Sequence, residues 1–398
     1  MKRHVKNNVY WIGKMDWELE WFHGMDYSIN NGSSQNAYLI QEEKTVLLDT
    51  VWRPHSTEFM DNLKKEVDIN KIDFIVVHHG EVDHSGTLPA LLEEIPDVPI
   101  YCTANCVKSL VGQYHHPEWN FHVVKTGDSV DVGNGKKLIF IEMRMLHWPD
   151  SMATFLTEDN ILFSMDAFGQ HYASDELFND RADQGKLWVE AMKYYANIIN
   201  PFAIMLKNKL KELDDLNLPI EMICPSHGVI WRENPMQIVD EYRKWCDNYH
   251  DDQICICYDT MWNGTMQLAH KIAEHLRELS PETTIKVFNI GKTDKNDVMT
   301  EIFRSKAIAV GSPTVSQHIL SDVGGWLDFL KECRFKNKKA AVFGCYGWSG
   351  EGNKVLREKL QDAGFAVIDE EVRCNWNPTE EHSEQARVLA EALLENCK

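Results

Sequence analysis

The sequence contains no Cys-x-x-Cys pair, although ten cysteines are present among its 398 residues. This absence excludes a zinc ribbon and a rubredoxin-type iron centre within the chain, because both need closely spaced thiolate ligands. Cys255 and Cys257 lie inside the apolar run ICICYD, where a strand would bury them. We therefore expect reduced, mostly buried thiols, which are usual in a reducing cytosol.

The chain also lacks an excess of basic residues and long apolar segments. Its formal net charge of −20 disfavours nucleic acid and anionic membrane surfaces as partners, because both attract basic patches. The N-terminal stretch MKRHVKNNVYW has no apolar signal-peptide core, and no apolar run reaches the length of a membrane span. The sequence therefore predicts a soluble, cytoplasmic protein that binds neither nucleic acid nor membrane.

Two different sequence patterns divide the chain, which is long enough for two separate cores. Up to about residue 250, short apolar strands such as FIVVH, LIFIEM, ILFSMD and EMICPSH alternate with loops rich in His and Asp. After the polar stretch DNYHDDQ, the strands ICICYD, TIKVFNI, AIAVGSP and AAVFGCYG alternate regularly with amphipathic helices. That alternation predicts a parallel sheet wrapped by helices. We expect an α/β protein with domains at residues 1–250 and 251–398.

Four potential metal ligands lie close together in the segment FIVVHHGEVDHSGTLPALLEEI. They are His79, Glu81, Asp83 and His84. Thr87 as the N-cap and Pro89 in the first turn predict the start of the next helix, so the four residues are expected in a strand-to-helix loop. A solvated charge cluster is the alternative, but each of these groups would need a partner once it is buried.

Three further residues of ligand type follow other strands. His147 comes after LIFIEMRML, Asp166 ends ILFSMD and His227 follows EMICPS. Because strands of one sheet end at a common edge, where open α/β sheets place their sites, we expect all seven residues to converge there. Four histidines and three acids suit two metal ions that share one carboxylate. The sequence therefore predicts a dinuclear metal site with an open position on each ion.

Three strand-end loops in the second half have the composition of a cofactor site. The loop TMWNGT offers polar side chains and backbone N–H groups at a helix N-terminus, which suits a phosphate. The loops GSPTVSQHIL and FGCYGWSGEGN contain glycines that permit close backbone approach. Tyr346 and Trp348 suit a flat ring, although packing accounts for either aromatic residue taken singly.

The order of the metal motif, His-x-Glu-x-Asp-His and then His, Asp and His, resembles the metallo-β-lactamase fold family over nearly all of the first 250 residues. The second half resembles a flavodoxin. Together with the motifs FHG, MLHWPDSM, PSHGVIWR, YDTMW and GWSG, this combination resembles the flavodiiron proteins, also called A-type flavoproteins. Zinc hydrolases of the fold usually carry His where this chain has Glu81. The additional carboxylate favours iron or manganese over zinc.

The resemblance implies a role for each candidate residue. One iron would be held by His79, Glu81 and His147, and the other by Asp83, His84 and His227, with Asp166 bridging them. His23 and Tyr195 fall on pocket positions, where positioning of a gas, proton supply and a structural role are alternatives. One FMN per chain would contact the following residues: Thr260, Met261, Trp262, Asn263, Gly264, Thr265, Ser312, Pro313, Thr314, Val315, Gly344, Tyr346, Gly347, Trp348, Ser349 and Gly350. Relatives often have Asn where Ser316 and Gln317 stand, so the flavin contacts at that loop stay open.

The implied activity is reduction of dioxygen to water or of nitric oxide to nitrous oxide, with dioxygen favoured. Two ferrous ions and an FMN hold the complete set of electrons that dioxygen needs. The alternatives are a zinc-dependent hydrolase with an appended flavodoxin domain and a non-enzymatic electron carrier. Rubredoxin, its reductase or a deazaflavin coenzyme is the implied donor, and a head-to-tail homodimer or a dimer of dimers is the implied assembly. Trp52 and Trp262 are placed near the pocket, but no gas preference follows from them.

Overall fold

The computed structural model describes residues 2–397, which form two compact units. The first unit comprises the residues up to Tyr195 together with Phe202–Arg243, and the second comprises Ala196–Pro201 together with the residues from Lys244 onward. The domain boundary at residue 250 remains a prediction.

Short strands and helices of moderate length build the first part of the chain. The strands are β1 (Arg3–Lys6), β2 (Val9–Trp11), β3 (Lys14–Asp16), β4 (Trp21–Phe22), β5 (Tyr27–Ser28), β6 (Ser33–Gln35), β7 (Tyr38–Gln41), β8 (Thr45–Leu48), β9 (Ile72–Val76), β10 (Ile100–Cys102), β11 (Phe121–Val123), β12 (Ser129–Gly133), β13 (Lys136–Glu142), β14 (Met152–Leu156), β15 (Ile161–Met165) and β16 (Met222–Pro225). The helices are α1 (Ser56–Glu66), α2 (Val82–Ser85), α3 (Leu88–Glu94), α4 (Ala104–Tyr114), α5 (Gln184–Tyr194), α6 (Ala203–Asp215) and α7 (Met236–Trp245). Short 3₁₀ turns lie at Arg53–His55, Ile69–Lys71 and Asn200–Phe202, and a π turn lies at Tyr195–Ile199.

Two sheets of this unit share one core. The first has the order β1-β2-β7-β8-β9-β10-β11 and the second the order β12-β13-β14-β15-β16. Tyr38 and Phe74 of the first sheet are buried in the same cluster as Phe140 and Phe163 of the second. Because side chains alternate along a strand, the opposite face of the first sheet turns Leu39, Leu47 and Ile75 toward residues of α1, α3 and α4. The predicted metallo-β-lactamase-like αβ/βα sandwich is thus confirmed.

The second unit contains a parallel sheet. Its strands are β17 (Gln253–Tyr258), β18 (Thr284–Asn289), β19 (Ala307–Gly311), β20 (Lys339–Tyr346) and β21 (Ala366–Asn375), and its helices are α8 (Gly264–Leu279), α9 (Lys295–Phe303), α10 (Ser321–Glu332), α11 (Gly352–Asp362) and α12 (Glu380–Glu395). The order β18-β17-β19-β20-β21, with every pair parallel, is that of a flavodoxin-like sheet. The predicted doubly wound sheet is confirmed. The charged edge strand β21 was not predicted, because its AVIDEEVRCN sequence lacks an apolar run.

The cysteines agree with the expectation of mostly buried thiols. The ten cysteines are free, and all except Cys246 and Cys397 are buried. Burial raises the pKa of the Cys224 and Cys257 thiols well above the ordinary value, which makes them poor nucleophiles. Within residues 2–397, every helix is too short or too polar to cross a membrane.

Candidate metal centre and cofactor cavity

The segment after β9 carries four of the seven predicted ligands. Extended backbone alternates its side chains, so His79 and Glu81 project to the same side. Glu81 is also the N-cap residue of α2, so Asp83 and His84 lie in a helical turn and not in the predicted loop. Thr87 does precede α3, but its hydroxyl donates to the carbonyl oxygen of Val51 at 2.9 Å and does not cap the helix.

The neighbouring histidine of this segment, His78, is held away from the ligand cluster. Its backbone N–H donates to Asp49 Oδ1 at 2.8 Å, and its Nδ1 lies 2.6 Å from Asp49 Oδ2. Its Nε2 lies 2.9 Å from Thr154 Oγ1. Both ring nitrogens are therefore engaged, and His78 ties the ends of β8 and β9 to β14 of the other sheet.

The first group of candidate ligands comprises His79, Glu81, His147 and Asp166. All four are buried, and one ligand atom from each lies within 4.8 Å of all the others. Glu81 Oε2 lies 3.1 Å from His79 Nε2 and 3.3 Å from His147 Nε2. Two imidazoles and two carboxylates at these separations form a donor set for one metal ion.

The second group comprises Asp83, His84 and His227, which are buried as well. Asp83 Oδ2 lies 3.2 Å from His84 Nε2 and 3.1 Å from His227 Nε2. Gly228 follows His227 with a φ of +77°, and a Cβ there would lie 1.8 Å from Gln170 Oε1. Only glycine fits this turn, which directs the His227 ring toward the cluster.

Asp166 lies between the two groups. Its Oδ2 is 3.3 Å from His147 Nε2, whereas its Oδ1 is 3.3 Å from His84 Nε2 and 3.5 Å from His227 Nε2. Ser226 Oγ donates to Oδ1 at 2.7 Å and helps to hold the carboxylate in this orientation. One oxygen for each group is the arrangement that a shared carboxylate requires.

The ligands come from both sheets of the sandwich. His79 follows β9 of the first sheet, whereas Asp166 and His227 follow β15 and β16 of the second. The expectation that all seven residues converge at the edge of a single sheet is therefore wrong, although the residues do converge. The reason is that two sheets packed face to face bring their strand ends to one rim of the sandwich.

The charges of the cluster balance one another. Burial lowers the pKa of His79, but hydrogen bonds with Asp150 and Glu81 and the charge of Asp166 outweigh it and raise this pKa to about 10. Burial is likewise outweighed at His147, whose pKa is raised to about 10 by Asp166 and Glu81. At His84, the charges of Asp83 and Asp166 raise the pKa to about 9 in spite of burial. Without metal, the acids are therefore balanced by protonated histidines.

Several buried atoms of the cluster lack hydrogen-bond partners within residues 2–397. These atoms are both carboxylate oxygens of Asp83, Nε2 of His84 and Oδ2 of Asp166. The ion-pair contacts with the histidines balance charge, but they lack hydrogen-bond geometry at these atoms. A buried polar group without a hydrogen bond costs about 1–3 kcal/mol. Metal ions would provide the directed contacts that these atoms lack. The residues present thus fit a dinuclear metal centre.

Aromatic and imidazole rings adjoin the metal cluster. His23 Nε2 lies 3.1 Å from Glu81 Oε1, and its ring centroid lies 5.9 Å from that of His147. The ring of Phe22 lies 4.6 Å from that of His23 and 5.9 Å from that of His227. His23 is therefore placed to orient the Glu81 carboxylate.

The two adjacent tyrosines at the end of α5 have different neighbours. The Tyr194 ring lies 6.2 Å from the ring of His227, whereas the Tyr195 ring packs edge-on against Tyr242 at 5.0 Å. Sequence reasoning did not single out Tyr194; the doublet contains no signal that distinguishes its two members. The pocket role of Tyr195 remains a prediction.

The carboxyl ends of the strands in the second unit surround a cavity of about 630 Å³. Of the predicted FMN contacts, the following line it: Thr260, Met261, Trp262, Gly264, Thr265, Pro313, Thr314, Tyr346, Gly347, Trp348 and Ser349. Asn263, Ser312, Val315, Gly344 and Gly350 do not. Cys345, Trp376 and Asn377 line the cavity without having been predicted, and so do Ser316 and Gln317.

This cavity fits a phosphorylated ring compound. The hydroxyls of Thr260 and Thr265 are buried without a hydrogen-bond partner in the described chain, beside the N-terminus of α8. A phosphate would satisfy them and the free backbone N–H groups of the helix. Trp348 is 93% exposed and its ring meets that of Trp376 edge-on at 6.5 Å, so the mouth of the cavity has aromatic walls. The residues present therefore fit FMN.

Two family profiles match the chain. The ODP family beta lactamase profile matches residues 33–228, and the flavodoxin profile matches residues 256–388. The anaerobic nitric oxide reductase flavorubredoxin of Vibrio vulnificus is 50% identical over 378 residues, which are 95% of this chain and 76% of that protein. The protein of the same name from Klebsiella pneumoniae is 50% identical over 374 residues, 94% of this chain and 77% of that protein.

Solved structures of similar proteins superimpose over the whole chain. Rubredoxin oxygen:oxidoreductase from Desulfovibrio gigas has a TM-score of 0.96 and 34% identity, with 100% of this chain and 98% of that chain covered. The flavodiiron protein from Giardia intestinalis has a TM-score of 0.93 and 28% identity, with the same coverage of 100% and 98%. The likeness therefore extends to both units.

Proposed function

Since the chain belongs to the flavodiiron protein family, we propose that it is an oxidoreductase that reduces nitric oxide to nitrous oxide and also dioxygen to water. The observation that carries this proposal is the position of Asp166 between two buried ligand groups. Each group otherwise contains one carboxylate and two imidazoles. Glu81 adds negative charge that favours iron over zinc, and zinc has no redox chemistry.

The chain's own residues prepare the site for both cofactors. The two ligand groups hold two irons and the second unit holds FMN; when bound, these cofactors supply the electrons for reduction of the gas. His23 orients Glu81 through the contact between Nε2 and Oε1. Even the most accessible of the seven ligands, His147, has a side chain that is only 11% exposed, so little water reaches the site and its electrostatic interactions are strengthened.

Nitric oxide is the preferred gas in this proposal, although the sequence alone favoured dioxygen. Relatives that are 49–50% identical are named nitric oxide reductases, and this supports nitric oxide. Dioxygen stays as a second substrate because the structure from D. gigas, 34% identical, is named an oxygen oxidoreductase. The ligand set itself serves both gases.

The electron donor in this proposal is rubredoxin, and the enzyme acts in the cytoplasm. The name of the D. gigas protein couples rubredoxin to oxygen reduction, and that coupling supports the choice. A rubredoxin reductase or a deazaflavin coenzyme would replace it if rubredoxin fails to reduce the flavin. The assembly is a head-to-tail homodimer, or a pair of such dimers, in which the flavin site of one chain would lie against the metal site of the other.

Metal analysis, visible spectroscopy and gas turnover test the function together. Protein purified without oxygen should contain about two irons and one FMN per chain and should consume nitric oxide faster than dioxygen when supplied with reduced rubredoxin. Zinc in place of iron, together with hydrolase activity, would instead support the metallo-hydrolase alternative. Flavin without metal would support an electron carrier.

Mixed dimers test the assembly. One chain carries Asp166→Ala and His84→Ala and lacks iron; the other carries acidic replacements of Thr260 and Thr265 and lacks FMN. Each homodimer should be inactive, and the mixed dimer should recover up to half of the wild-type turnover, because one pairing across the interface is intact. Inactive mixed dimers of folded chains would contradict transfer between chains.

A further inference from the structure

The histidines of the two ligand groups differ in what holds their second ring nitrogen. His79 Nδ1 lies 2.8 Å from the carboxylate oxygen Oδ1 of Asp150, and His227 Nδ1 lies 2.7 Å from the carbonyl oxygen of Ser34. His84 Nδ1 is buried without a hydrogen-bond partner in the described part of the chain. Among these three histidines, only His79 has a charged acceptor at its second ring nitrogen, and His79 belongs to the first group.

Asp150 is itself firmly held. It is fully buried, and its Oδ2 accepts a hydrogen bond from the backbone N–H of Gly80 at 3.0 Å. Its carbonyl oxygen accepts one from Thr103 Oγ1 at 2.9 Å. A Cβ on Gly80 would lie 2.8 Å from Asp150 Oδ2, so the close approach depends on glycine. Asp150 thus contacts both the ring of His79 and the backbone N–H of Gly80, in the segment that also carries Glu81.

This contact has a direct consequence for the metal-binding nitrogen. In the neutral His79 ring that metal binding requires, a carboxylate that accepts the Nδ1–H fixes the tautomer, so that the lone pair of Nε2 faces Glu81 and Asp166. It also raises the basicity of Nε2 more than a neutral carbonyl does. The two groups otherwise have the same donors, one carboxylate and two imidazoles beside the shared Asp166. Their surroundings therefore decide which group binds metal more tightly.

We propose that Asp150 is a positioning residue that makes the His79, Glu81 and His147 group the tighter metal position. This position fills first and empties last, whereas the position of Asp83, His84 and His227 fills second. The inference rests on the proposed function only in requiring that the cluster binds two metal ions.

The chain contains a matched control for this proposal. Asp49 and His78 form the same buried contact between a carboxylate and an imidazole Nδ1, at 2.6 Å, one residue before His79. His78 uses its Nε2 for Thr154 and has no ligand role. Asp49→Asn therefore removes a buried carboxylate charge that contacts no candidate ligand. Asp150→Asn removes the equivalent charge that contacts His79.

Competition titration of the FMN-loaded, metal-free protein with Co²⁺ under anaerobic conditions measures the affinity of each position. The wild type should bind in two steps, and His227→Ala should weaken only the second step. Asp150→Asn should weaken the first step by about 10- to 100-fold and leave the second unchanged. Asp49→Asn should leave both steps unchanged. Asp150→Glu, which keeps the charge but displaces it, should weaken the same step to a smaller degree and serves if Asp150→Asn does not fold.

Four results would overturn the proposal. They are an unchanged first step in Asp150→Asn or Asp150→Glu, an equal loss at both steps, the same loss in Asp49→Asn, and loss of the tighter step in His227→Ala. Failure of the wild-type chain to bind any metal would instead contradict the proposed function. If Asp150→Asn binds metal in the same two steps as the wild type, this proposal fails but the proposed function stands. Failure of this proposal and failure of the proposed function are therefore distinguishable.

Discussion

His23 Nε2 lies 3.1 Å from Glu81 Oε1, while the other oxygen of the same carboxylate, Oε2, faces the ring nitrogens of His79 and His147. The carboxylate is thus held from both sides. Its pKa lies well below the ordinary value, because the hydrogen bonds from His147, His23 and His79 outweigh the effect of burial. Glu81 therefore stays ionised and oriented before any metal binds.

Removal of His23 tests this contact. His23→Ala should lower turnover or iron affinity by about 10- to 100-fold, as is typical for a partner of a ligating group. His23→Gln, which can still donate to Oε1, should retain more of both. Iron content and turnover with nitric oxide measure the effect. His55→Gln is the control, because His55 forms a similar contact with Asp16 at 3.0 Å outside the cluster. Equal losses in the control would contradict a specific role.

Removal of the shared carboxylate should empty the metal site. Asp166→Ala leaves the positive charge of two ions without the acid that faces both groups, so we predict loss of both irons and of gas reduction, with FMN retained. Asp159→Ala is the matched control, since Asp159 is a buried acid paired with Lys136 at 2.8 Å. It should lower the free energy of unfolding by about 3 kcal/mol and keep the iron. Iron retained in Asp166→Ala would disprove the bridging role.

The preference for iron should depend on the charge at position 81. Glu81→His creates the ligand set that is usual in zinc hydrolases of the fold and removes one negative charge. Protein produced with both metals present should then contain more zinc and lose gas reduction. Glu81→Asp keeps the charge and should keep more of the iron. Unchanged metal content in Glu81→His would show that another feature selects the metal.

Metal binding should depend strongly on pH. Without metal, the pKa values of His79 and His147 are about 10 and that of His84 is about 9, above the ordinary 6.5. A metal ion needs neutral imidazoles, so binding at pH 7 must release protons and become tighter as the pH rises toward 9.

The stability of the metal-free protein should change in the opposite direction. Its raised histidine pKa values stabilise the fold below pH 6.5, and this contribution is lost as the pH rises through 9 to 10. Calorimetry of metal binding in buffers of different ionisation enthalpy measures how many protons are released. Metal binding without proton release would contradict protonated histidines in the metal-free protein.

The buried hydroxyl of Thr265 should affect FMN affinity without stabilising the FMN-free fold. Thr265→Val removes an orphaned Oγ1 from the cavity, so the FMN-free protein should be as stable as the wild type or more stable, while FMN affinity falls about tenfold. Thr300→Val is the control, because Thr300 Oγ1 donates to the carbonyl oxygen of Asn296 at 2.8 Å. It should lower stability by about 1 kcal/mol and leave FMN affinity unchanged. Thermal unfolding and flavin titration give the two quantities; unchanged FMN affinity in Thr265→Val would refute the contact.

Local patterns in the sequence were sufficient to predict the fold class and the ligand types. Apolar runs such as FIVVH and ICICYD match β9 and β17, because a buried strand needs continuous apolar residues. The edge strand β21 escaped this criterion, since its exposed face tolerates charge. His79, Glu81, Asp83 and His84 were recognisable because so many ionisable groups seldom occur together where a strand ends.

Tertiary structure alone decided the geometry of the site. Nothing local distinguishes His78, which Asp49 and Thr154 hold, from His79, which faces the cluster. Nor does the sequence show that Asp150 lies behind His79, or that the cluster is built by two sheets. These relationships join residues far apart in the chain, and the packing of the two sheets determines them. Local sequence could therefore specify which chemical groups are present, but only the packed core determines which of them meet.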